Sequence, residues 1–184
     1  MALFGLNITF TRASFYWHLG LGLVCAALAA WLLRLGLGAA LAAGVLSAAL
    51  WFASELVHQF GHAWAARSVG HPMIGLQFFS LFSASIYPAN EPPLPRRVHV
   101  LRSLGGFWVN VVIGLALAPL ALAAWPNGGV GAWVLAFGVV ANFFGLGLGA
   151  LLPITIPGGD GLTDGGALLR YWREAQREKS GSTD

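Results

Sequence analysis

Residues 36–67 read GLGAALAAGVLSAALWFASELVHQFGHAWAAR, an apolar run rich in small residues that acquires Glu55, His58, Gln59 and His62 in its last third. A helix needs about 20 apolar residues to cross a hydrocarbon core of about 30 Å, and this run is long enough. Strongly polar side chains inside a span are costly, about 2.5 to 3.5 kcal/mol for a charged one near the centre by insertion scales, so four together require a purpose. His58 and His62 lie four apart, which puts both imidazoles on one helix face. That is the spacing at which two ligands bite one zinc ion while other coordination positions stay open.

Working outward, comparable apolar stretches give four spans at about 15–33, 36–66, 100–125 and 131–152. The composition agrees. Of 184 residues, 57% are hydrophobic and 9% charged, and the mean hydropathy is +0.72, whereas a soluble domain carries about a quarter charged residues. The fold class expected is an all-α integral membrane bundle forming one domain over 1–178. The net charge of +3 does not indicate nucleic acid, because the basic residues flank apolar stretches and form no patch with interleaved aromatics. Cys25 is the single cysteine, which excludes an intrachain disulfide and reads as a small buried hydrophobe. Ala27-Leu28-Ala29 resembles a cleavage site, but the apolar core before it is long for a signal peptide, so the first stretch is read as a retained span.

Four spans put the termini and the loop between spans two and three on one side. That side collects Arg12, Arg67, Arg96, Arg97, Arg102, Arg170, Arg173, Arg177 and Lys179, and the other side has Arg34. This bias places both termini and the polar loop in the cytoplasm. The segment after span four, Pro153 to Gly166, returns to the same side as His58 and His62, so Asp164 can close a His2Asp site over the loop 153–166. Gly165 would let the backbone approach the metal, and Pro153 and Pro157 would turn the chain back toward span two. Asp160, in Gly-Gly-Asp-Gly, is ordinary turn chemistry and a second choice.

With these residues in order, the chain resembles the site-2 protease family of intramembrane zinc metalloproteases. The resemblance rests on His58-Gln59-Phe60-Gly61-His62 for its His-Glu-x-x-His helix and on Gly106-Phe107-Trp108-Val109-Asn110 for its Gly-Pro-x-x-Asn span. It also uses Ala150-Leu151-Leu152-Pro153 leading to Asp164-Gly165 for its Asn-x-x-Pro and Asp-Gly segment. It implies Zn2+ held by His58, His62 and Asp164, an oxyanion or substrate contact from Asn110, and a transmembrane or membrane-proximal peptide as substrate. It also implies a short β-like segment over 72–87, near the membrane, that pairs with an unwound substrate. The expected location is a prokaryotic cell membrane, with the metal site toward the cytoplasm.

Three positions depart from the family pattern: Gln59 stands where the general base belongs, Phe107 where proline does, and Ala150 where asparagine does. Glutamine can hydrogen-bond a metal-bound water but cannot take its proton, a deficit of roughly 10² to 10⁴ in rate. Gln59 therefore leaves two readings. One is a zinc protease impaired at this position, by introduced or natural substitution; the other is a pseudoprotease that holds a membrane partner without cutting it. Glu55 shares the helix face one turn deeper, as a relocated base or, more simply, a hydrogen-bond partner of Asn110 or Asn142. Metal transport ranks last, since the other spans offer few polar residues.

The remaining features have plainer readings. His71 and His99 are expected to be solvated, His18 to belong to an interfacial aromatic belt with Tyr16 and Trp17, and 91–97 to be a stiff proline-rich connector. The small-residue runs at 36–44 and 145–150 suit close helix packing. Residues 165–178 read as a helix on the membrane surface, and 179–184 as a disordered tail.

Overall fold

The computed structural model describes residues 2–154 and 163–181. Its elements are β1 (Ala2–Leu3), β2 (Leu6–Phe10), α1 (Arg12–Leu33), α2 (Leu37–Ser68), β3 (Gly75–Phe78), β4 (Ser83–Ile86), α3 (Arg96–Ala124), α4 (Gly129–Val139) and α5 (Asp164–Gly181). Among the described residues, four helices are long and apolar enough to cross a membrane, over Arg12–Leu33, Leu37–Ser68, Arg96–Asn127 and Gly129–Leu151. No more than 28% of the most apolar part of any of them is buried. So much apolar surface facing outward is stable only against lipid, and the chain is an integral membrane protein.

Thr11 caps α1, its hydroxyl accepting from Ser14 N–H at 3.4 Å. Helices α1 and α2 approach through small residues: a Cβ on Gly44 would lie 2.8 Å from Ala26 Cβ and overlap the Gly22 carbonyl. The expected packing role of 36–44 follows from that contact. Cys25 packs with Ala29, Ala43 and Trp133, as a small hydrophobe would.

The strands at 75–78 and 83–86 lie inside the expected β-like segment, but the sheet is larger than that segment. Its order is β1-β2-β3-β4, with β2 parallel to β3 and the other neighbours antiparallel. Residues 2–10, for which no strand was expected, supply β1 and β2. The signal was present, since Leu6-Asn7-Ile8-Thr9-Phe10 alternates apolar and polar residues, and Leu6 and Ile8 are the buried pair.

Helix α2 carries two stripes. Phe52, Leu56, Phe60 and Ala63 pack on the buried Leu6, Ile8, Leu76 and Phe78 of the sheet. Glu55, His58, Gln59 and His62 form the other stripe and are all buried. The fourth span changes character part-way, continuing from α4 as a π-helical segment over Val140–Gly147 and a 3-10 turn over Leu148–Leu151. Asn142 Nδ2 donates to Gly138 O at 2.9 Å, the carbonyl that an α-helical Asn142 N–H would use. Helix α5 begins at Asp164 itself and runs to Gly181, three residues into the stretch expected to be a disordered tail. Glu174, Gln176, Arg177, Glu178 and Lys179 are good helix formers and carry it there.

Candidate metal centre

His58 and His62 present their Nε2 atoms to one another at 3.0 Å. Asp164, arriving from α5, places Oδ2 3.4 Å from His58 Nε2 and Oδ1 3.4 Å from His62 Nε2. The spacing matches a metal cage, because ligands at about 2.0–2.1 Å on a tetrahedron stand about 3.3–3.4 Å apart.

The outer nitrogens explain why the inner ones converge. His58 Nδ1 donates to Asn110 Oδ1 at 2.9 Å, and Asn110 Nδ2 in turn donates to Asn142 Oδ1 at 2.8 Å and to Ser54 O at 3.4 Å. Asn142 Nδ2 closes the chain on Ser54 Oγ at 2.9 Å. His62 Nδ1 lies 2.7 Å from the Arg102 carbonyl, which can only accept, so this nitrogen carries the proton. Both imidazoles therefore turn bare Nε2 lone pairs inward. Two lone pairs and a carboxylate facing one another form a donor set that could hold a metal ion.

Two further observations fit a metal ion. Asp164 Oδ2 is buried without a hydrogen-bond partner among the described residues. A Cβ on Gly106 would sit 2.5 Å from His58 Nε2 and 2.6 Å from His62 Nε2, so only glycine leaves the space open.

No protein-family model matches the chain, and no curated protein does. Among solved structures, the site-2 protease from Methanocaldococcus jannaschii superposes with a TM-score of 0.57, over 92% of this chain and 68% of that one, at 17% identity. The chain has the site-2 protease fold.

Within that fold the three ligand candidates line a cavity of about 670 Å³ between α2, β4, the start of α3, the 3-10 turn and α5. Gln59 also faces it, but its amide is engaged: Nε2 donates to Ser83 O at 3.3 Å, and Oε1 accepts from Ser85 Oγ at 2.8 Å. Glu55 does not reach Asn110 or Asn142. Its Oε1 accepts from Ser83 N–H at 2.8 Å and Ser83 Oγ at 2.6 Å, while neighbouring Ser54 faces the asparagines. One residue along a helix is a rotation of about 100°, enough to exchange those partners.

Asn110 is fully buried, outside the cavity lining, and its side-chain amide bonds His58, Asn142 and Ser54, an arrangement that orients the His58 ring. Gly165 packs against the Leu151 carbonyl, which a Cβ would overlap, so its smallness lets α5 dock there. His99 is not simply solvated, since it stacks on Tyr171 of α5 with ring centroids 4.0 Å apart. His71 is half-buried, with Nδ1 3.7 Å from Glu91 Oε1, and His18 Nδ1 donates to Ser14 O at 2.8 Å. Asp160 and Pro157 lie outside the described residues.

Sequence reading missed the role of Arg102. It is buried in the site-2 protease fold, donates to both oxygens of Glu91 at 2.9 and 2.7 Å, bonds His71 O at 2.7 Å and covers the Tyr87 ring at 3.8 Å. The 91–97 connector is thus tied down at its first residue, and the backbone of the residue that ties it holds His62.

Proposed function

We propose that this chain is a membrane-embedded zinc peptidase of the site-2 type, acting on transmembrane or membrane-proximal peptides and impaired in hydrolysis by Gln59. The observation that carries the reading is the convergence of His58 Nε2, His62 Nε2 and Asp164 at 3.0–3.4 Å, with both outer imidazole nitrogens already committed. Zinc held by these three residues would lower the pKa of a bound water toward about 7 and polarise a peptide carbonyl. Gln59, whose amide is bonded to Ser83 and Ser85, has no means of accepting the proton of such a water. β4, an edge strand lining the same cavity, offers a site where an unwound peptide can add as a further strand. The bias of Arg12, Arg67, Arg96, Arg97, Arg102, Arg170 and Arg173 against Arg34 supports a cytoplasmic metal site.

The alternative is a pseudoprotease that binds a membrane partner without cleaving it. The engagement of the Gln59 amide with β4 favours this reading, because it gives glutamine a task of its own. Zinc content of detergent-purified protein, with His58→Ala and Asp164→Ala beside it, tests the shared premise: about one zinc per chain, lost in both variants. A folded protein without zinc overturns both metal readings. Given zinc, Gln59→Glu decides between them on a membrane-embedded reporter substrate. A gain of roughly 10²-fold or more identifies a protease, and continued inertness identifies a binding protein.

A further inference from the structure

β4 is held from the side on which another strand would add. Ser83 N–H donates to Glu55 Oε1 at 2.8 Å, and Ser83 C=O accepts from Gln59 Nε2 at 3.3 Å, so both main-chain groups point away from β3. The side chains double the link, Ser83 Oγ donating to Glu55 Oε1 at 2.6 Å and Ser85 Oγ to Gln59 Oε1 at 2.8 Å. Glu55 and Gln59 stand one turn apart on α2, 2% and 4% exposed, so a rigid helix face presents an acceptor and an amide to one strand. In an antiparallel ladder, alternate residues turn their backbone groups to the same edge, and Ser85 therefore shares the free edge with Ser83.

This arrangement discriminates between glutamine and glutamate at position 59. The glutamine oxygen accepts from Ser85 while its nitrogen donates to the Ser83 carbonyl. A carboxylate would satisfy the first contact and set two acceptor oxygens against each other at the second. Glu55, by contrast, is used only as an acceptor, by both donors of Ser83.

We propose that Glu55 and Gln59 form a clamp that fixes β4 to the metal-binding helix by occupying the outward backbone groups of Ser83, leaving Ser85 as the first position on that edge able to pair with an added strand. The last clause rests on the strand-addition reading above; the clamp does not. Gln59 is then a positioning residue for the cleft strand. An occupant is set in register from Ser85 onward, and the buried Glu55 has a structural purpose that requires no proton transfer.

The test is hydrogen exchange resolved at the Ser83 amide, in the detergent-solubilised full chain with no peptide added. Exchange is slow in the native chain and stays slow in Glu55→Gln, whose amide oxygen still accepts both Ser83 donors. Glu55→Leu speeds it about tenfold or more, since the amide loses its buried partner, and Gln59→Glu several-fold through a loosened strand, on the order of one lost hydrogen bond. Should Glu55→Leu fail to fold, Ser85→Ala, which removes only the hydroxyl bond to Gln59, is expected to speed exchange several-fold and decides in its place. Unchanged exchange in Gln59→Glu and Ser85→Ala overturns the clamp, as does Glu55→Gln exchanging as fast as Glu55→Leu. Because neither turnover nor peptide enters the readout, failure of the protease reading leaves this result standing, and failure of the clamp leaves zinc binding and cleavage untouched.

Discussion

The two halves of the candidate ligand set are built differently. His58 and His62 stand on α2 with each outer nitrogen bonded to α3, by Asn110 Oδ1 and by the Arg102 carbonyl, and all of these residues are buried. Asp164 opens a separate helix, placed by Thr163, whose hydroxyl bonds Leu152 O and accepts from Gly166 N–H, and by the stack of Tyr171 on His99. The histidine half is preformed by interhelical packing, whereas the aspartate half is docked. On the metal reading proposed above, affinity should therefore respond steeply to damage in the first half and more mildly to loosening of the second, where a bound metal would itself help dock α5.

The sharpest way to break that comparison is Asn110→Ala. It strips His58 Nδ1–H of its acceptor and leaves Asn142 Oδ1 without its donor, while all three ligands remain. Zinc affinity, measured by competition with a chelator, is expected to fall about 10- to 100-fold, the range for losing a partner that orients a metal-bound histidine. A loss under twofold would show that α2 alone aims the imidazole.

Tyr171→Ala addresses the docked half. An aromatic stack contributes about 0.5–1.5 kcal/mol, so its loss should weaken zinc binding by roughly 2- to 12-fold. Tyr171→Phe keeps the ring and should retain the affinity, although the hydroxyl contact from Arg170 at 3.0 Å disappears. An alanine effect larger than that of Asn110→Ala would reverse the ranking of the two halves.

The uneven legibility of the sequence follows the same division. The His58/His62 pair was readable because helical period alone determines which residues share a face, and Asp164 because the charge bias returns its segment to that side. Strands β3 and β4 fell within the stretch implied by the family resemblance. What stayed hidden depends on rotation or on distance across the chain. Glu55 and Ser54 are adjacent, and only the orientation of α2 against its neighbours assigns one to β4 and the other to the asparagines. β2 is five residues directly before a span, short enough to pass for its flank. The pairing of Arg102 with Glu91 joins a helix to a loop with no period to announce it, so a charge that counted only toward topology, Arg102, also ties down the loop beside the site.

That ion pair supports the smallest expected effect, and it asks whether the preformed half depends on the loop. The Arg102 guanidinium bonded to Glu91 holds its carboxyl below the ordinary value of 4.5. A depressed carboxylate contributes stability that is fully present above the unfolded value and fades as pH falls through the lower folded one. Attachment of the 88–95 loop should thus be constant from neutral pH down to about 4.5 and loosen below it, seen as faster hydrogen exchange or proteolytic nicking there. Glu91→Gln should exchange faster at neutral pH and lose the acid step. Arg102 is also fixed by His71 O and by the Tyr87 ring, so its carbonyl should keep its hold on His62 and zinc affinity at neutral pH should change by less than about twofold in this variant. A larger loss would mean that the loop is part of what preforms the histidine half, and that the division between a rigid and a docked half belongs further out along the polar loop than α2 and α3.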